Sequence, residues 1–151
     1  MKSSNQVIEE GNRRIKAIFD RHKEFSMIEE SIDLTKDVTS VDVETISHAM
    51  STISAYLCTL SGVVPKYTAI ANATYIYRKF AYMWEFRKMV QFNTVKEKEQ
   101  EALDRTADEH FEEVVSRYVA DYIKNKYDAY ERHVSILQTR IGLLKNEMFR
   151  Q

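Results

Sequence analysis

The stretch from Tyr67 to Phe92 contains no glycine and no proline, so no residue within it interrupts a helix. It carries the only tryptophan, Trp84, together with seven other aromatic rings. Apolar residues fall on nearly every face of such a helix, a pattern typical of a helix packed among several partners. With three glycines and one proline in 151 residues, the chain has little material for turns, which predicts an all-α fold.

Two ladders of seven-residue spacing, offset by three, run through residues 42–92 and predict the a/d seam of a coiled coil. The first ladder is Ile46, Ile53, Leu60, Tyr67, Thr74 and Ala81, and the second is Ala49, Tyr56, Val63, Ile70, Tyr77 and Trp84. Pro65 lies inside this run, and proline removes one helical hydrogen bond and clashes with the preceding turn. We therefore expect a kink or a short break near Leu60–Lys66.

The section from Val95 to Phe149 has no proline and predicts a second long helix. Its seam ladders are Ala120, Tyr127, Val134, Ile141, Met148 and Ile123, Tyr130, Leu137, Leu144, and a flanking ladder is Val115, Tyr122, Ala129, Ile136, Leu143. A capping box from Thr94 to Glu97 places the turn at residues 93–94. Residues 37–151 are thus predicted to form a long antiparallel, coiled-coil-like hairpin. Because its apolar face is wider than one seam needs, we expect a homo-oligomer.

Residues 1–36 are predicted to form an amphipathic helical arm. Its apolar positions are Val7, Ile8, Ile15, Ile18, Phe19 and Phe25, followed by a short stripe of Met27, Ile28, Ile32 and Leu34. Gly11 weakens this helix by roughly 1 kcal/mol relative to alanine. Residues 37–41 are a linker, and Thr39, Ser40 or Asp42 can cap the next helix. The arm either docks on the hairpin or becomes ordered only with a partner.

The charges are distributed unevenly along the predicted hairpin, although the net charge of the chain is only −1. Residues 66–88 hold five basic residues and one acidic residue, whereas residues 96–121 hold nine acidic and four basic residues. A turn at Asn93 would bring these stretches side by side, so their charges favour the antiparallel register. The last 30 residues are net positive and have no acidic stretch opposite them.

This basic surplus, with the basic arm, is the best candidate for binding a polyanion. The predicted nucleic-acid-binding residues are Arg13, Arg14, Lys124, Lys126, Arg132 and Arg140. An alternative basic surface consists of Arg78, Lys79, Arg87 and Lys88. Tyrosines near the C-terminal basic residues can stack on unpaired bases, although their seam positions favour packing. Affinity for single-stranded DNA would then fall steeply with salt.

The surplus of rings and methionines indicates an interface with another protein, which is the alternative function. The predicted oligomer or partner interface is Tyr75, Tyr82, Met83, Trp84, Phe86 and Met89. Under this hypothesis the chain is a protein-interaction module, such as a phage inhibitor of a host factor or an assembly scaffold, with no affinity for nucleic acid.

No sequence motif indicates catalysis, and we expect no enzymatic activity, no metal and no cofactor. The chain lacks Cys-x-x-Cys and His-Glu-x-x-His pairs, a glycine-rich phosphate loop and a Gly-x-Ser-x-Gly elbow. Cys58 is expected to be a small buried residue. Because we find neither a secretion signal nor an apolar run long enough to span a bilayer, we expect a cytoplasmic protein without a membrane partner.

Two stretches carry a resemblance to a known group of proteins. The first is ISHAMSTISAYLCTLSGVVPKY with the aromatic and basic helix after it, and the second is TVKEKEQEAL with YDAYERHVSILQTRIGLLKNEM. Over about residues 42–149 this order resembles small helical proteins encoded by phages and prophages among replication and recombination genes, and more loosely the UvsY-type recombination mediators. The resemblance implies a ring-like oligomer in the bacterial host cytoplasm. That oligomer would bind single-stranded DNA and help a recombinase displace a single-strand-binding protein.

Overall fold

A computed structural model describes residues 3–21, 42–90 and 94–150, and these residues form four α-helices and no strand. In chain order the helices are α1 (Ser4–Arg21), α2 (Val43–Lys88), α3 (Val95–Arg105) and α4 (Ala107–Met148). The all-α prediction is therefore confirmed. The apolar stripe of residues 27–34, Phe25, the linker at 37–41 and the turn residue Asn93 lie outside the described residues.

Two predicted helix starts are confirmed. The Asp42 carboxylate accepts hydrogen bonds from the backbone N–H groups of Glu44 at 3.2 Å and Thr45 at 3.0 Å, which caps α2. At the start of α3, Thr94 Oγ1 accepts from Glu97 N at 3.2 Å, and Glu97 Oε2 accepts from Thr94 N at 3.2 Å. This reciprocal pair is the predicted capping box.

The expectation of a short break at Leu60–Lys66 is wrong, because α2 runs without interruption through Pro65. Proline costs this helix one hydrogen bond, but Leu60 and Val63, in the turn and a half before it, are buried. Tertiary packing of that kind supplies most helical stability in proteins. The helix ends at Lys88, earlier than the predicted end at Phe92.

The section from Val95 to Phe149 is also not one helix, because Thr106 separates α3 from α4. Its backbone N–H and its hydroxyl both donate to the Ala102 carbonyl oxygen, at 3.1 and 2.7 Å. The backbone of Thr106 departs from helical geometry, with φ −106° and ψ 22°. A threonine side chain that bonds its own backbone in this way competes with the regular helix. The sequence pattern gave no sign of this interruption.

The chain contacts divide the molecule into two compact units, which are described separately. Unit 1 comprises Met1–Lys16 and Pro65–Tyr122, and unit 2 comprises Ala17–Val64 and Ile123–Gln151. In unit 2, α2 and α4 share a buried cluster of Ile46, Ile53, Leu137 and Leu144. Beside it the rings of Tyr56 and Tyr130 meet edge to face, with centroids 5.0 Å apart.

In unit 1, α2 contacts α3 and α4 mainly through charged and aromatic side chains. In order along α2, the contacts are Tyr75 with Arg117, Arg78 with Glu113 and Glu85 with Arg105. As the residue number along α2 rises from Tyr75 to Glu85, the number of the contacted residue on α3 or α4 falls from Arg117 to Arg105. The apolar core of this unit includes Ile15 from α1, Met89, Ala102 and Val115.

The second ladder of α2 leaves the core after Val63, which corrects the predicted seam. Tyr56 and Val63 are buried, but Ile70, Tyr77 and Trp84 are 41%, 66% and 63% exposed. A strict seven-residue repeat drifts by about 20° per heptad around a helix of 3.6 residues per turn. Over the three heptads from Val63 to Trp84 this drift adds up to about 60°, which moves the second ladder off the packed face, while Thr74 and Ala81 of the first stay half-buried.

The residues of the flanking ladder of α4 that belong to unit 2 are exposed in the single chain. Ile136 and Leu143 are 50% and 52% exposed, whereas Leu137 and Leu144, one position later in each case, are buried. Cys58 is exposed, so the prediction of a buried thiol is also wrong. The neighbouring Tyr56 and Leu60 are buried and Leu57 is half-buried, so the packed side of α2 does not include Cys58.

Gly11 allows α1 to approach α4 closely, and its replacement by alanine should destabilise the protein. An added Cβ would lie 2.3 Å from Cδ1 and 2.7 Å from Cε1 of Tyr118. The hydroxyl of Tyr118 donates to Asn12 Oδ1 at 3.0 Å, which holds the ring in place. Overpacking outweighs the gain in helix propensity, so we expect Gly11→Ala to lower the free energy of unfolding by about 1–2 kcal/mol in urea titrations.

Gly142→Ala is the matched control, because nothing lies within 4 Å of the Cβ it would introduce. Here only helix propensity changes, and the free energy of unfolding should rise by up to about 1 kcal/mol. Equal effects at the two positions would contradict the close contact between Gly11 and Tyr118.

A pair of leucines on α4 tests which face is covered. Leu137→Ala removes a fully buried side chain and should cost about 2–5 kcal/mol of unfolding free energy. Leu143→Ala removes a half-exposed one and should cost less than about 1 kcal/mol. Both are measured by urea unfolding at one fixed protein concentration. A Leu143→Ala cost as large as that of Leu137→Ala would mean that the flanking ladder is covered in solution.

Candidate functional site

The described residues contain no group of three or more histidine, cysteine or acidic side chains placed to hold a metal ion. Within the same residues, no helix is long and apolar enough to cross a membrane. The candidate sites are therefore the surfaces where charged and aromatic side chains are exposed.

The basic residues predicted on α1 are engaged in ion pairs within unit 1. Arg14 makes a bidentate contact with Glu112 of α4, from Nη1 to Oε1 at 2.6 Å and from Nη2 to Oε2 at 2.8 Å. Arg14 Nε and Arg13 Nη2 each donate to Glu10 Oε1 at 2.8 Å. Bidentate guanidinium–carboxylate pairs are among the stronger ion pairs. Arg14 therefore helps to fasten α1 to α4.

These contacts change the acidity of the groups involved. Hydrogen bonds from Arg13 and then Arg14 lower the pKa of Glu10 to about 2. The hydrogen bond from Arg14 lowers the pKa of Glu112, against an opposing effect of partial burial. The same contact with Glu112 raises the pKa of Arg14. All four groups keep their charges near neutral pH, and Arg13 and Arg14 have carboxylates as immediate neighbours.

The structure does not bring the predicted basic residues of α4 onto one face. Lys124, Arg132 and Arg140 follow one another at intervals of eight residues, and each interval advances about 80° around a helix. Lys124 and Arg132 are exposed, whereas Arg140 is half-buried. Lys126 Nζ lies 4.6 Å from the ring centroid of Phe19 of α1. The set therefore winds around the helix and forms no continuous stripe.

The predicted partner interface is divided between two faces of α2. Tyr75, Tyr82 and Phe86 are half-buried, and Met89 is 2% exposed, so these four belong to the packing of unit 1. The rings of Tyr82 and Phe86 stack with centroids 6.1 Å apart. Only Met83 and Trp84 of the predicted set are exposed, at 45% and 63%.

Met83 and Trp84 belong to a larger exposed surface, which we call the outer face of α2. Its residues follow three- and four-residue spacings and lie on one side of the helix: Ile70, Ile76, Tyr77, Phe80, Met83 and Trp84. The rings of Tyr77, Phe80 and Trp84 are each at least 63% exposed. Exposed rings grouped on one face are unusual for a surface without a binding role.

Basic residues accompany the rings of the outer face. Lys88 Nζ lies 5.1 Å from the Trp84 ring centroid, a cation–π contact, and 2.8 Å from Glu85 Oε1. Arg87 is exposed and makes no ion pair or hydrogen bond with the part of the chain described. Glu85 is the only acidic residue between Pro65 and Val90, and its side chain turns toward Arg105 of α3. The outer face itself carries no carboxylate.

One residue of the alternative basic surface, Arg78, forms an ion pair with a buried carboxylate. Glu113 of α4 is 4% exposed and forms ion pairs with Arg78 of α2 and, at 2.8 Å, with Arg117 of its own helix. His110 Nδ1 lies 3.7 Å from the same carboxylate. The Arg78 contact is an ion pair without aligned hydrogen-bond geometry, which leaves Nε and Oε2 otherwise unsatisfied. Arg78 is thus an internal residue that ties α2 to α4.

A cleft of about 450 Å³ lies where the outer face meets the junction of α3 and α4. Its lining includes Tyr77, Phe80 and Trp84 from α2. The junction contributes Thr106, Glu109 and Arg105, and Glu85 and Lys88 complete the wall. The cleft combines aromatic walls with charged groups of both signs.

Some residues of these surfaces were predictable from the sequence, and others were not. The rings and cations near Trp84 were recognised, but inward and outward residues were not separated. The change in burial of the second ladder was detectable, because a strict seven-residue repeat drifts around a straight helix. The buried Glu113 cluster had only a weak signal, the alternation of charge between residues 66–88 and 96–121.

The pair between Arg14 and Glu112 predicts a pH-dependent contribution to stability. Because the folded pKa of Glu112 lies below its ordinary value of 4.5, the pair stabilises fully above that pH. The contribution is lost as the pH falls through the folded pKa. Both side chains are more than a third exposed, so Glu112→Gln should cost only about 1 kcal/mol or less near neutral pH.

The measurement is urea unfolding of both proteins at neutral and acid pH, with Glu9→Gln as control. Glu9 is an exposed carboxylate of α1 that makes no contact with the described chain. The difference between wild type and Glu112→Gln should shrink below pH 4.5, and a constant difference would contradict the ion pair.

The chain matches no known family model, no curated protein and no solved structure. Its function is therefore inferred from its own residues, and the resemblance to UvsY-type mediators stays a prediction.

Proposed function

We propose that this chain is a non-enzymatic, oligomeric helical protein that binds single-stranded DNA on the outer face of α2. The observation that carries the proposal is a helix face with three exposed rings and an exposed, unpaired cation, Arg87, beside them. In that role it would act as an accessory factor in phage-type recombination or replication, in the cytoplasm of the host. A recombinase or a single-strand-binding protein would then be its partner.

The rings of the outer face suit unpaired bases. Tyr77, Phe80 and Trp84 follow one another at intervals of three and four residues on the same side of α2. Bases stack on exposed aromatic rings at roughly 1–3 kcal/mol each, without requiring a particular sequence. Double-stranded DNA does not offer its base faces, so this surface favours single strands.

The cations of the outer face suit the phosphates of such a strand. Arg87 is unpaired within the described chain and lies next to the stacking surface, whereas Lys88, held over Trp84, is already paired with Glu85. Arg87 is therefore the main phosphate contact. The residues predicted earlier are less well placed, because Arg13 and Arg14 adjoin carboxylates and the α4 residues wind around their helix. Lys124 and Arg132 remain available as secondary phosphate contacts.

The same proposal includes the long antiparallel hairpin and its self-association. The inverse order of the contacts in unit 1, from Tyr75–Arg117 to Glu85–Arg105, is the order expected of two arms folded back on each other. The exposed ladder of Ile136 and Leu143 offers an apolar strip for a second copy in unit 2. Oligomerisation would place several outer faces along one strand.

A second candidate function is a protein-interaction module that uses the outer face without DNA. The observation in its favour is that Ile70, Ile76 and Met83, between 41% and 52% exposed, stand among the rings. Aliphatic side chains at three- and four-residue spacing are the pattern by which one helix packs on another. Under this hypothesis the outer face binds a helix of a host or phage protein.

We test DNA binding with oligo-dT of roughly 20 nucleotides, using the fluorescence of Trp84, the only tryptophan, as the reporter. Stacking on this ring should quench its emission, and affinity should fall steeply between about 50 and 200 mM salt. Phe80→Ala removes a neighbouring ring and should weaken binding by roughly tenfold. Absence of binding at the lower salt concentration would overturn the proposal.

Two matched substitutions locate the surface. Phe149→Ala removes an 88% exposed ring outside the outer face, and it should leave affinity unchanged. Arg87→Gln should weaken binding and reduce the salt dependence, and it should do so more than Arg132→Gln on α4. Pull-down from host lysate without DNA separates the second candidate, because only an interaction module would retain one specific host or phage protein on the wild-type chain and lose it on Phe80→Ala.

A further inference from the structure

The cleft at the junction of α3 and α4 has the composition of a pocket for one planar, polar group. The aromatic residues that line it are Tyr77, Phe80 and Trp84, which also form the stacking surface proposed above. Its charged groups nearly balance, because Glu85 holds both Lys88 and Arg105 in ion pairs of 2.8 and 3.5 Å. A balanced, ring-lined cleft favours a base over a phosphate, because a phosphate requires a surplus of cations.

The free polar group of the cleft is the carboxylate of Glu109. It is half-buried and makes no hydrogen bond or ion pair with any of the chain described. Glu109 is on the first turn of α4, immediately after the interruption at Thr106. An ionised carboxylate can only accept hydrogen bonds, so the edge of any base in the cleft must donate to it.

We propose that this cleft takes one nucleobase of the bound strand and selects bases with an exocyclic amino group over thymine. Cytosine and adenine present an amino donor where thymine presents a carbonyl oxygen. Thymine can offer the Glu109 carboxylate only its ring N3–H, and the two carbonyl oxygens on either side of that N–H meet the carboxylate as further acceptors, so its hydrogen bond is weaker than that of an amino group. The chain therefore discriminates among bases through one side chain, in addition to stacking on all of them. This inference rests on the proposed binding of single-stranded DNA.

The clearest comparison is between two pyrimidine strands, oligo-dC and oligo-dT of equal length, at neutral pH and low salt. Their stacking faces are similar, so a difference in affinity reports mainly on the base edge. We expect the full chain to bind oligo-dC about threefold to tenfold more tightly than oligo-dT, the range of one hydrogen bond in a partly exposed site. Fluorescence anisotropy of end-labelled strands gives both affinities.

Glu109→Gln is the decisive variant, because an amide both donates and accepts. It should bind oligo-dT more tightly than wild type does, and the preference for oligo-dC should disappear. Glu99→Gln is the matched control, since Glu99 is an exposed carboxylate of α3 outside the cleft with no contact in the described chain. This control makes the same change in net charge and should retain the preference.

The outcomes separate the two proposals. Tight binding with equal affinity for both strands would overturn base selection and leave DNA binding in place. The same would follow if Glu109→Gln and Glu99→Gln strengthened binding to both strands alike, because the carboxylates would then act by general repulsion. Absence of binding to either strand would overturn DNA binding and with it the selection of a base.

Discussion

The constraint on which the molecule depends is that α2 has apolar side chains on two opposite faces in unit 1, and only one face is covered. Tyr82 and Phe86 pack inward with the charged contacts of Arg78 and Glu85, and these contacts join α2 to α3 and α4. Tyr77 lies five residues before Tyr82 and Trp84 two residues after it, so both rings lie about 140–160° around the helix from Tyr82 and stay exposed. The outer face remains available for a ligand because the inner face makes the contacts with α3 and α4.

The charged residues mainly serve to hold helices together, which leaves few cations free for a ligand. Glu113 neutralises Arg78 and Arg117, and Glu112 with Glu10 neutralises Arg14. A near-zero net charge is therefore compatible with a local basic surface, because α2 after Pro65 contains only one acidic residue, Glu85. Arg87 stays exposed since no carboxylate of the described chain is placed to meet it.

Much of the helical architecture could be predicted from the sequence, because it depends on local chemistry. The scarcity of glycine and proline excluded strands, and the side-chain oxygens of Asp42 and Thr94 marked two helix starts within one residue. Pro65 and Thr106 misled the prediction in opposite directions. A proline preceded by the buried Leu60 and Val63 is tolerated, whereas a threonine whose hydroxyl reaches the Ala102 carbonyl interrupts a helix without any breaker in the sequence.

The candidate site was harder to predict, since it depends on which side of a helix each residue occupies. A ladder such as Ile70, Tyr77 and Trp84 has the same spacing whether it is a seam or a free surface. Its exposure follows from accumulated rotation along α2, and pairings such as Arg14 with Glu112 connect residues far apart in the chain. Neither effect is visible in a local pattern of residue types.

The exposure of Cys58 has a practical consequence for any study of assembly. It is the single thiol of the chain and lies on the surface of unit 2. Oxidation in air can link two molecules through this thiol and mimic a non-covalent dimer, so samples need a reductant. The same solitary thiol accepts one maleimide dye per molecule, which provides a fluorescent handle without engineering a new cysteine.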